Sequence, residues 1–219
     1  DEITMVGSTT VLPIAQVCAE EFMSLHPDVY ISVGGGGSSI GAKALVAGTC
    51  DIANSSRPLK EQEFIDATKR NISPKPHVVA MDGSVVIVNP KNTLKNLTSD
   101  QLKAIYTGDI TSWSQVGGVD EKIVVVSRDS ASGTFEAFNE LALKNARVRP
   151  DALLQASNQA VAAVVKQTPN AIGYIGMGYL DASVKPLSIN DVVATKETVI
   201  SKQYPISRPL YMYTNGTPQ

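Results

Sequence analysis

The segment Ile123-Val-Val-Val-Ser-Arg-Asp-Ser-Ala-Ser-Gly-Thr134 indicates the fold class, because a β-branched run ends in small hydroxyl residues where a helix begins. Runs of β-branched residues favour strands, and a helical pattern follows over residues 133–145. The same order of strand, loop and helix recurs along most of the chain. This alternation predicts an α/β fold with largely parallel strands.

Further strands and helices follow from similar patterns. A capping box at Thr98-Ser-Asp-Gln101 predicts a helix that ends at Gly108, and another helix is expected over Asn158–Gln167. An earlier helix ends before Pro27. The other predicted strands are residues 29–33, 51–54, 84–89 and 172–175, and the apolar face of the earlier helix comprises Ile14, Val17, Cys18, Phe22 and Leu25.

Length and composition limit the class of protein. The chain has 219 residues, of which 43% are hydrophobic, and this is enough for a packed core. A formal net charge of −2 argues against a nucleic-acid partner. The apolar runs are too short to cross a bilayer and no leader precedes Asp1, so we expect a mature, soluble form.

The cysteines give no sign of a metal site. Cys18 and Cys50 are the only two, and they lack a CxxC motif and a Cys/His cluster, so no structural zinc is expected. They could form a disulfide in an oxidising compartment or remain two buried thiols, and the sequence leaves both alternatives open.

Hydroxyl residues and glycines recur at three junctions where a strand gives way to a helix. These are Gly7-Ser-Thr-Thr10, the stretch Gly-Gly-Gly-Gly-Ser-Ser-Ile-Gly at 34–41, and Arg128-Asp-Ser-Ala-Ser-Gly-Thr134. A helix N-terminus presents about four unpaired N–H groups and about half a positive charge, which attract anions. One such junction is more often a plain cap. Three of them, one with an arginine, predict a site for a small anion.

Two enzymatic motifs fail on the same residues. Gly37-Ser-Ser-Ile-Gly41 matches the GxSxG nucleophile elbow, but neither His26 nor His77 stands where a hydrolase base is expected. The phosphate-loop pattern fails because Ala42 separates Gly41 from Lys43 and no Ser or Thr follows. We therefore expect no catalytic residue and no cofactor.

Several longer stretches together carry a family resemblance. They are Gly7-Ser-Thr-Thr-Val-Leu-Pro13, residues 36–58 ending in Asp-Ile-Ala-Asn-Ser-Ser-Arg-Pro, residues 102–113, Ser127-Arg-Asp-Ser-Ala-Ser-Gly-Thr134, and Ser207-Arg-Pro-Leu-Tyr-Met-Tyr-Thr-Asn-Gly216. With these stretches the chain resembles the phosphate-binding proteins of ABC-type phosphate importers, within the type II periplasmic-binding-protein fold. The resemblance covers nearly the whole chain.

The resemblance implies two α/β lobes joined by two crossover strands, with the ligand in the interlobe cleft. We expect lobe I over residues 1–82 and 184–219 and lobe II over residues 83–183. The crossovers are expected near residues 81–85 and 177–187.

The implied function is extracytoplasmic capture of inorganic phosphate by lobe closure, for delivery to an ABC transporter permease. The protein would be exported to the periplasm or the extracellular face of the bacterial inner membrane, with its signal peptide removed. Two alternatives are a binding protein for another tetrahedral oxyanion and a phosphate-sensing module that docks a receptor.

The resemblance also carries over ligand residues. Arg128 would grip two oxyanion oxygens with its planar fork, the alternative being a surface ion pair with Asp129 or Glu136. Arg57 is ambiguous between the site and a pair elsewhere. The candidate ligand residues are Ser8, Thr9, Thr10, Ser38, Ser56, Asp82, Arg128, Ser132, Gly133 and Thr134.

Two features depart from the family pattern. The best-known branch has an Asp at the position of Ser56, where it accepts the proton of hydrogen phosphate; we hypothesise that Asp82 supplies this acceptor here, the alternative being a turn-forming Asp-Gly. The chain also stops at Gln219, where family members continue with helices. Either the chain is truncated or a partner covers the exposed face, and self-association is the simplest cover.

Overall fold

A computed structural model describes residues 1–218, which fall into two compact units. Unit 1 contains Asp1–Ala80, the short segment Ala131–Gly133 and the residues from Pro209 on. Unit 2 contains Met81–Ser130 and Thr134–Arg208. Unit 1 is therefore assembled from three separate stretches of the chain.

The strands in chain order are β1 (Glu2–Gly7), β2 (Tyr30–Gly34), β3 (Ile52–Ser55), β4 (Pro74–Val88), β5 (Asn96–Leu97), β6 (Val124–Arg128), β7 (Leu153–Gln155), β8 (Ala171–Gly176), β9 (Lys185–Pro186), β10 (Ser188–Ile189) and β11 (Ser207–Asn215). The helices are α1 (Leu12–Leu25), α2 (Ser38–Ala47), α3 (Glu61–Thr68), α4 (Ser99–Thr107), α5 (Gly133–Leu141), α6 (Asn158–Gln167) and α7 (Lys196–Ile200). Two 3₁₀ helices span Trp113–Val116 and Met177–Tyr179.

Unit 1 is built on a sheet in which β1 lies between β2 and β3. Both neighbours run parallel to β1, and β11 pairs antiparallel with β3 on its other side. The buried cluster of this unit includes Ala42, Leu45, Ala53, Leu59 and Tyr213, which come from α2, β3, β11 and the loop after β3. This arrangement brings the C-terminal ends of β1 and β3 to one edge, where the predicted loops begin.

Unit 2 is built on a sheet in which β8 lies between β4 and β6. The strand β6 runs parallel to β8 and β7, whereas the C-terminal half of β4 runs antiparallel to β8. An aromatic cluster packs against β6: the rings of Phe138 and Tyr174 stack with centroids 3.8 Å apart, and Tyr106 meets Phe138 edge-on at 4.9 Å. The Tyr106 hydroxyl donates to Val126 O at 3.0 Å, which fixes the strand that carries Arg128.

The unit boundaries differ in part from those predicted. The first lies between Ala80 and Met81, within two residues of the predicted position, but the second lies between Arg208 and Pro209 instead of at residue 184. Residues 184–208 belong to unit 2 because their apolar side chains are part of its core, among them Leu187, Tyr204 and Ile206. The chain thus passes from unit 2 to unit 1 within β11, and not over residues 177–187, where the second crossover was predicted.

Two helices also differ from their predictions, α5 in its length and α1 in the face that it buries. The bounds of α6 are those predicted, but α5 ends at Leu141, and Lys144 and Asn145 have positive φ, which a helix does not allow. The predicted apolar face of α1 is largely exposed, with Val17 at 66% and Leu25 at 68%, while the buried residues of that helix are alanines. Self-association stays a prediction.

The two cysteines are free thiols, one exposed at Cys18 and one buried at Cys50. The sequence left open a disulfide or two buried thiols. The disulfide is therefore wrong, and of the two thiols only that of Cys50 is buried.

Candidate functional site

The first predicted loop begins where β1 ends at Gly7. A side chain at Gly7 would place its Cβ 2.1 Å from Asn54 O, so only glycine lets β1 approach β3 this closely. Ser8 then donates its N–H to Asn54 O at 2.8 Å, and its Oγ accepts the N–H groups of Thr10 and Val11 at 3.1 and 3.4 Å. The Ser8 hydroxyl thus orders the turn that leads into α1, beside buried Thr9 and Thr10.

The second loop and the end of β3 meet at a pair of serines. Ser38, the first residue of α2, is fully buried, and its Oγ accepts the N–H of Ser56 at 2.9 Å. The two Oγ atoms lie 3.2 Å apart. Residues 18 positions apart in the sequence therefore form one hydroxyl pair at the N-terminus of α2.

The Ala131–Gly133 segment of the third loop packs within unit 1 against this pair. Ala131 O accepts the N–H of Ser39 at 3.1 Å. A Cβ added at Gly133 would lie 2.2 Å from Ser38 Oγ and 2.8 Å from Ser56 Oγ. The absence of a side chain at Gly133 therefore lets the segment, with buried Ser132, lie directly against both serines.

Arg128 ends β6 in unit 2 and is buried, with 2% of its surface exposed. Its Nε donates to Gln155 O at 3.0 Å and its Nη2 donates to Ala156 O at 3.1 Å. Its Nη1 is buried and has no hydrogen-bond partner among the described residues. The guanidinium is thus fixed by two carbonyls, and the alternative of a surface ion pair is wrong because the side chain is buried.

Among residues 1–218, no carboxylate is hydrogen-bonded to the Arg128 guanidinium. Burial lowers its pKa, an effect to which Arg208 adds and which Tyr174 and Asp129 oppose. A guanidinium nevertheless stays protonated in proteins, and a buried charge is costly unless an opposite charge accompanies it. A small anion would supply that charge.

The Tyr174 hydroxyl supports the backbone of Arg128. It accepts the Arg128 N–H at 3.2 Å and lies 2.9 Å from Ser127 Oγ. Burial raises the pKa of Tyr174 to about 12, so the hydroxyl is neutral at physiological pH.

Asp82 forms a buried ion pair with Arg208, which is not among the predicted ligand residues. Oδ2 of Asp82 accepts Nε and Nη2 of Arg208 at 3.1 and 3.0 Å, and Oδ1 accepts the N–H of Met177 at 2.9 Å. Burial raises the pKa of Asp82, and the charge of Arg208 opposes this shift. The carboxylate is thus engaged with protein donors, and its role as acceptor for the phosphate proton stays a prediction.

Arg208 also reaches a predicted ligand residue. Its Nη2 donates to Thr134 Oγ1 at 3.0 Å. Arg208 lies in the stretch 207–216 that carried the family resemblance, but its partner Asp82 lies 126 residues earlier. No local pattern could reveal a pair so distant in sequence.

Arg57 forms an ion pair with Glu63. The sequence had left open whether Arg57 belongs to the ligand site or to a pair elsewhere. Its Nη1 and Nη2 donate to the two carboxylate oxygens of Glu63, each at 2.8 Å, and Nη2 also donates to Ser39 Oγ at 3.1 Å. This bidentate pair joins the loop after β3 to α3 and α2.

Within residues 1–218, no group of three or more His, Cys, Asp or Glu side chains is placed to hold a metal ion. No helix in this range is both long and apolar enough to span a bilayer.

Comparison with known proteins places this geometry in a family. The sequence profile of the PBP superfamily domain matches residues 1–219. The phosphate-binding protein PstS of Bacillus subtilis is 37% identical over 215 residues, covering 98% of this chain and 70% of that protein. PstS of Borreliella burgdorferi is 34% identical over 98% of this chain and 78% of that protein.

Solved structures agree with the sequence comparison. A substrate-binding protein from Clostridium perfringens, whose crystal structure contains bound phosphate, superposes with a TM-score of 0.93 at 36% identity, covering 99% of this chain and 87% of that one. An ABC-type phosphate transport receptor from Vibrio cholerae gives 0.79 at 36% identity, covering 99% and 88%. This chain belongs to the PBP superfamily and, within it, to the family of the PstS phosphate-binding proteins. The predicted periplasmic-binding-protein fold is confirmed.

Proposed function

We propose that this protein is an exported solute-binding protein that binds inorganic phosphate and delivers it to an ABC transporter permease, without a catalytic step. The observation that carries the proposal is the buried guanidinium of Arg128: two carbonyls orient it, and its Nη1 has no hydrogen-bond partner in the part of the chain that the structure describes. Relatives named for phosphate binding support phosphate as the anion.

The candidate residues suit reversible binding. Their donors are hydroxyls of Ser and Thr, backbone N–H groups at the starts of α2 and α5, and the Arg128 guanidinium. Such donors replace the hydration of an anion by hydrogen bonds of fixed direction, and those to a charged partner are the stronger ones. No histidine is among them, so the set contains no general base of the kind an esterase uses.

The identity of the anion is the finer part of the proposal. Ser56 can accept the proton of HPO₄²⁻ or rotate to donate to a fully ionised anion, so this position alone discriminates weakly. Another tetrahedral oxyanion is therefore the alternative ligand. Asp82 as acceptor for the phosphate proton stays a prediction, and its oxygens also accept N–H groups from Arg208 and Met177.

Export and the permease partner rest on the family. The Vibrio cholerae neighbour is named a phosphate transport receptor of the ABC type. A phosphate-sensing module that docks a receptor would use the same ligand residues, and co-purification with a permease separates these two roles.

The test is a calorimetric titration of ligand-free protein with phosphate, arsenate, sulfate and molybdate. Phosphate at about 1,000 times Kd should stabilise the protein by about 4 kcal/mol and raise Tm by about 10 °C. Arg128→Ala should weaken phosphate binding by about 2 to 5 kcal/mol, and Arg128→Lys should recover only part of this because an ammonium lacks the planar fork.

Arg70→Ala serves as the matched control, because Arg70 is exposed. The proposal fails if no oxyanion of the panel binds or raises Tm. Preferential binding of another oxyanion would instead establish the alternative ligand.

A further inference from the structure

The side chain of Arg208 is held in one orientation. Nε and Nη2 both donate to Oδ2 of Asp82, at 3.1 and 3.0 Å, and Oδ1 of the same carboxylate is tied to the N–H of Met177 at 2.9 Å. Arg208 and Asp82 expose 4% and 5% of their side chains. Because both partners are buried and the carboxylate is itself fixed, the guanidinium cannot turn without breaking several hydrogen bonds.

This fixed guanidinium sets the direction of the Thr134 hydroxyl. Nη2 of Arg208 donates to Thr134 Oγ1 at 3.0 Å. A hydroxyl has one proton and two lone pairs, so an oxygen that accepts an N–H must point its own proton away from that donor. Thr134 is the second residue of α5, where helix N–H groups favour negative charge. One lone pair of the hydroxyl oxygen is thereby occupied, and its proton points away from Arg208, in a direction from which it can be donated to an anion.

The same three residues lie at the ends of the segments that form unit 2. Asp82 follows the boundary between Ala80 and Met81, Thr134 begins the second segment and Arg208 ends it. The hydrogen bonds of Arg208 therefore link three places where the chain enters or leaves unit 2. Within unit 2 they hold Thr134, near the start of α5, in place relative to Asp82 in β4 and Arg208 in β11.

We propose that Arg208, held by Asp82, is a positioning residue that makes Thr134 an obligatory hydrogen-bond donor to the bound anion. Arg208 acts through the Thr134 hydroxyl. The proposal rests on the proposed function, since it takes phosphate to be the ligand and Thr134 to be one of its donors.

The test is a double-mutant cycle read by phosphate titration calorimetry. Arg208→Lys keeps a positive charge beside the buried Asp82 carboxylate but lacks the geometry to donate to both Asp82 and Thr134. It is combined with Thr134→Val, which removes the hydroxyl, and with Thr134→Ser, the control that keeps it. Arg208→Lys should weaken phosphate binding about tenfold in the parent and in the Thr134→Ser protein, the change expected from losing one oriented donor to an anion. In the Thr134→Val protein the same substitution should change Kd by less than about twofold.

A merely structural role gives a different result. It would lower Tm of the ligand-free protein and weaken phosphate binding equally whichever residue stands at position 134. If Arg208→Lys does not fold, the double variant Asp82→Asn with Arg208→Gln replaces the charged pair by two amides and takes its place in the cycle.

Three results decide the question. Loss of the Arg208 effect in the Thr134→Val protein supports the proposal. A parent protein that binds phosphate, with losses that are additive in the double variants, overturns this inference and leaves the proposed function intact. A parent protein that does not bind phosphate overturns the proposed function and this inference with it.

Discussion

Gly133→Ala is the most discriminating substitution in the third loop, because two physical effects predict opposite signs. Gly133 begins α5 and has no positive φ, so helix propensity alone predicts that alanine stabilises the protein by up to about 1 kcal/mol. The packing predicts the reverse. The added Cβ would lie 2.2 Å from Ser38 Oγ, 2.7 Å from Ser38 Cβ and 2.8 Å from Ser56 Oγ.

The magnitude follows from what must move. Ordinary contacts of a Cβ begin near 3.4 Å, so Ser38 Oγ would have to retreat by about 1 Å. That oxygen accepts the Ser56 N–H at 2.9 Å, and moving it leaves a buried N–H without its acceptor, at a cost of about 1 to 3 kcal/mol. Overpacking adds about 1 to 3 kcal/mol, and the two effects together outweigh the gain in helix propensity.

Urea unfolding of the ligand-free protein measures the decrease in the free energy of unfolding, and phosphate calorimetry measures the accompanying loss of affinity. Gly178→Ala is the matched control, since a Cβ at Gly178 meets no atom within 4 Å. A Gly133→Ala protein with parental or greater stability and parental affinity would show that the segment does not pack against Ser38 and Ser56 as described.

The remaining predictions concern the Arg57–Glu63 pair and the two thiols. Burial acts to raise the pKa of Glu63, but hydrogen bonds from Arg57 and from a backbone N–H, together with the Arg57 charge, lower it below the ordinary value of 4.5. The ion pair therefore stabilises the folded protein above that pH, and this stabilisation is lost as the pH falls. Thermal unfolding between pH 7 and pH 3 should therefore show a weaker pH dependence for Glu63→Gln, and identical profiles would contradict this assignment. Cys18 is exposed, whereas Cys50 is buried and its burial raises the pKa of the thiol to about 11. A thiol reagent should therefore label one cysteine in the native protein and two in denaturant. Rapid labelling of both cysteines in the native protein would refute this prediction.

Local patterns in the sequence predicted the elements well and the long-range contacts poorly. The helix α6 has the predicted bounds because Ser157 caps it: the Ser157 hydroxyl oxygen accepts the N–H of Ala160, and this signal is contained within four residues. The loops with Ser38, Ser56 and Gly133 could be anticipated because strand ends and helix starts are marked by glycine and hydroxyl residues.

The features that were missed share a different physical origin. The Asp82–Arg208 pair and the boundary after Arg208 depend on contacts between residues far apart in the chain, which leave no periodicity to detect. The apolar spacing of α1 predicted a helix correctly, but spacing alone does not say which face is covered, and Val17 and Leu25 are exposed.

The composition of unit 1 from three stretches has a consequence for the order in which the protein can fold. Unit 2 needs no residue beyond Arg208, whereas unit 1 needs β11, which pairs with β3 and whose Tyr213 hydroxyl accepts the N–H of Leu59, 154 residues earlier. During synthesis β3 is made long before β11, so the edge of β3 that pairs with β11 stays open until β11 has been made. An open strand edge is a template for pairing with other chains. Unit 1 is therefore begun before unit 2 but completed after it, and its open strand edge is exposed to aggregation in the interval.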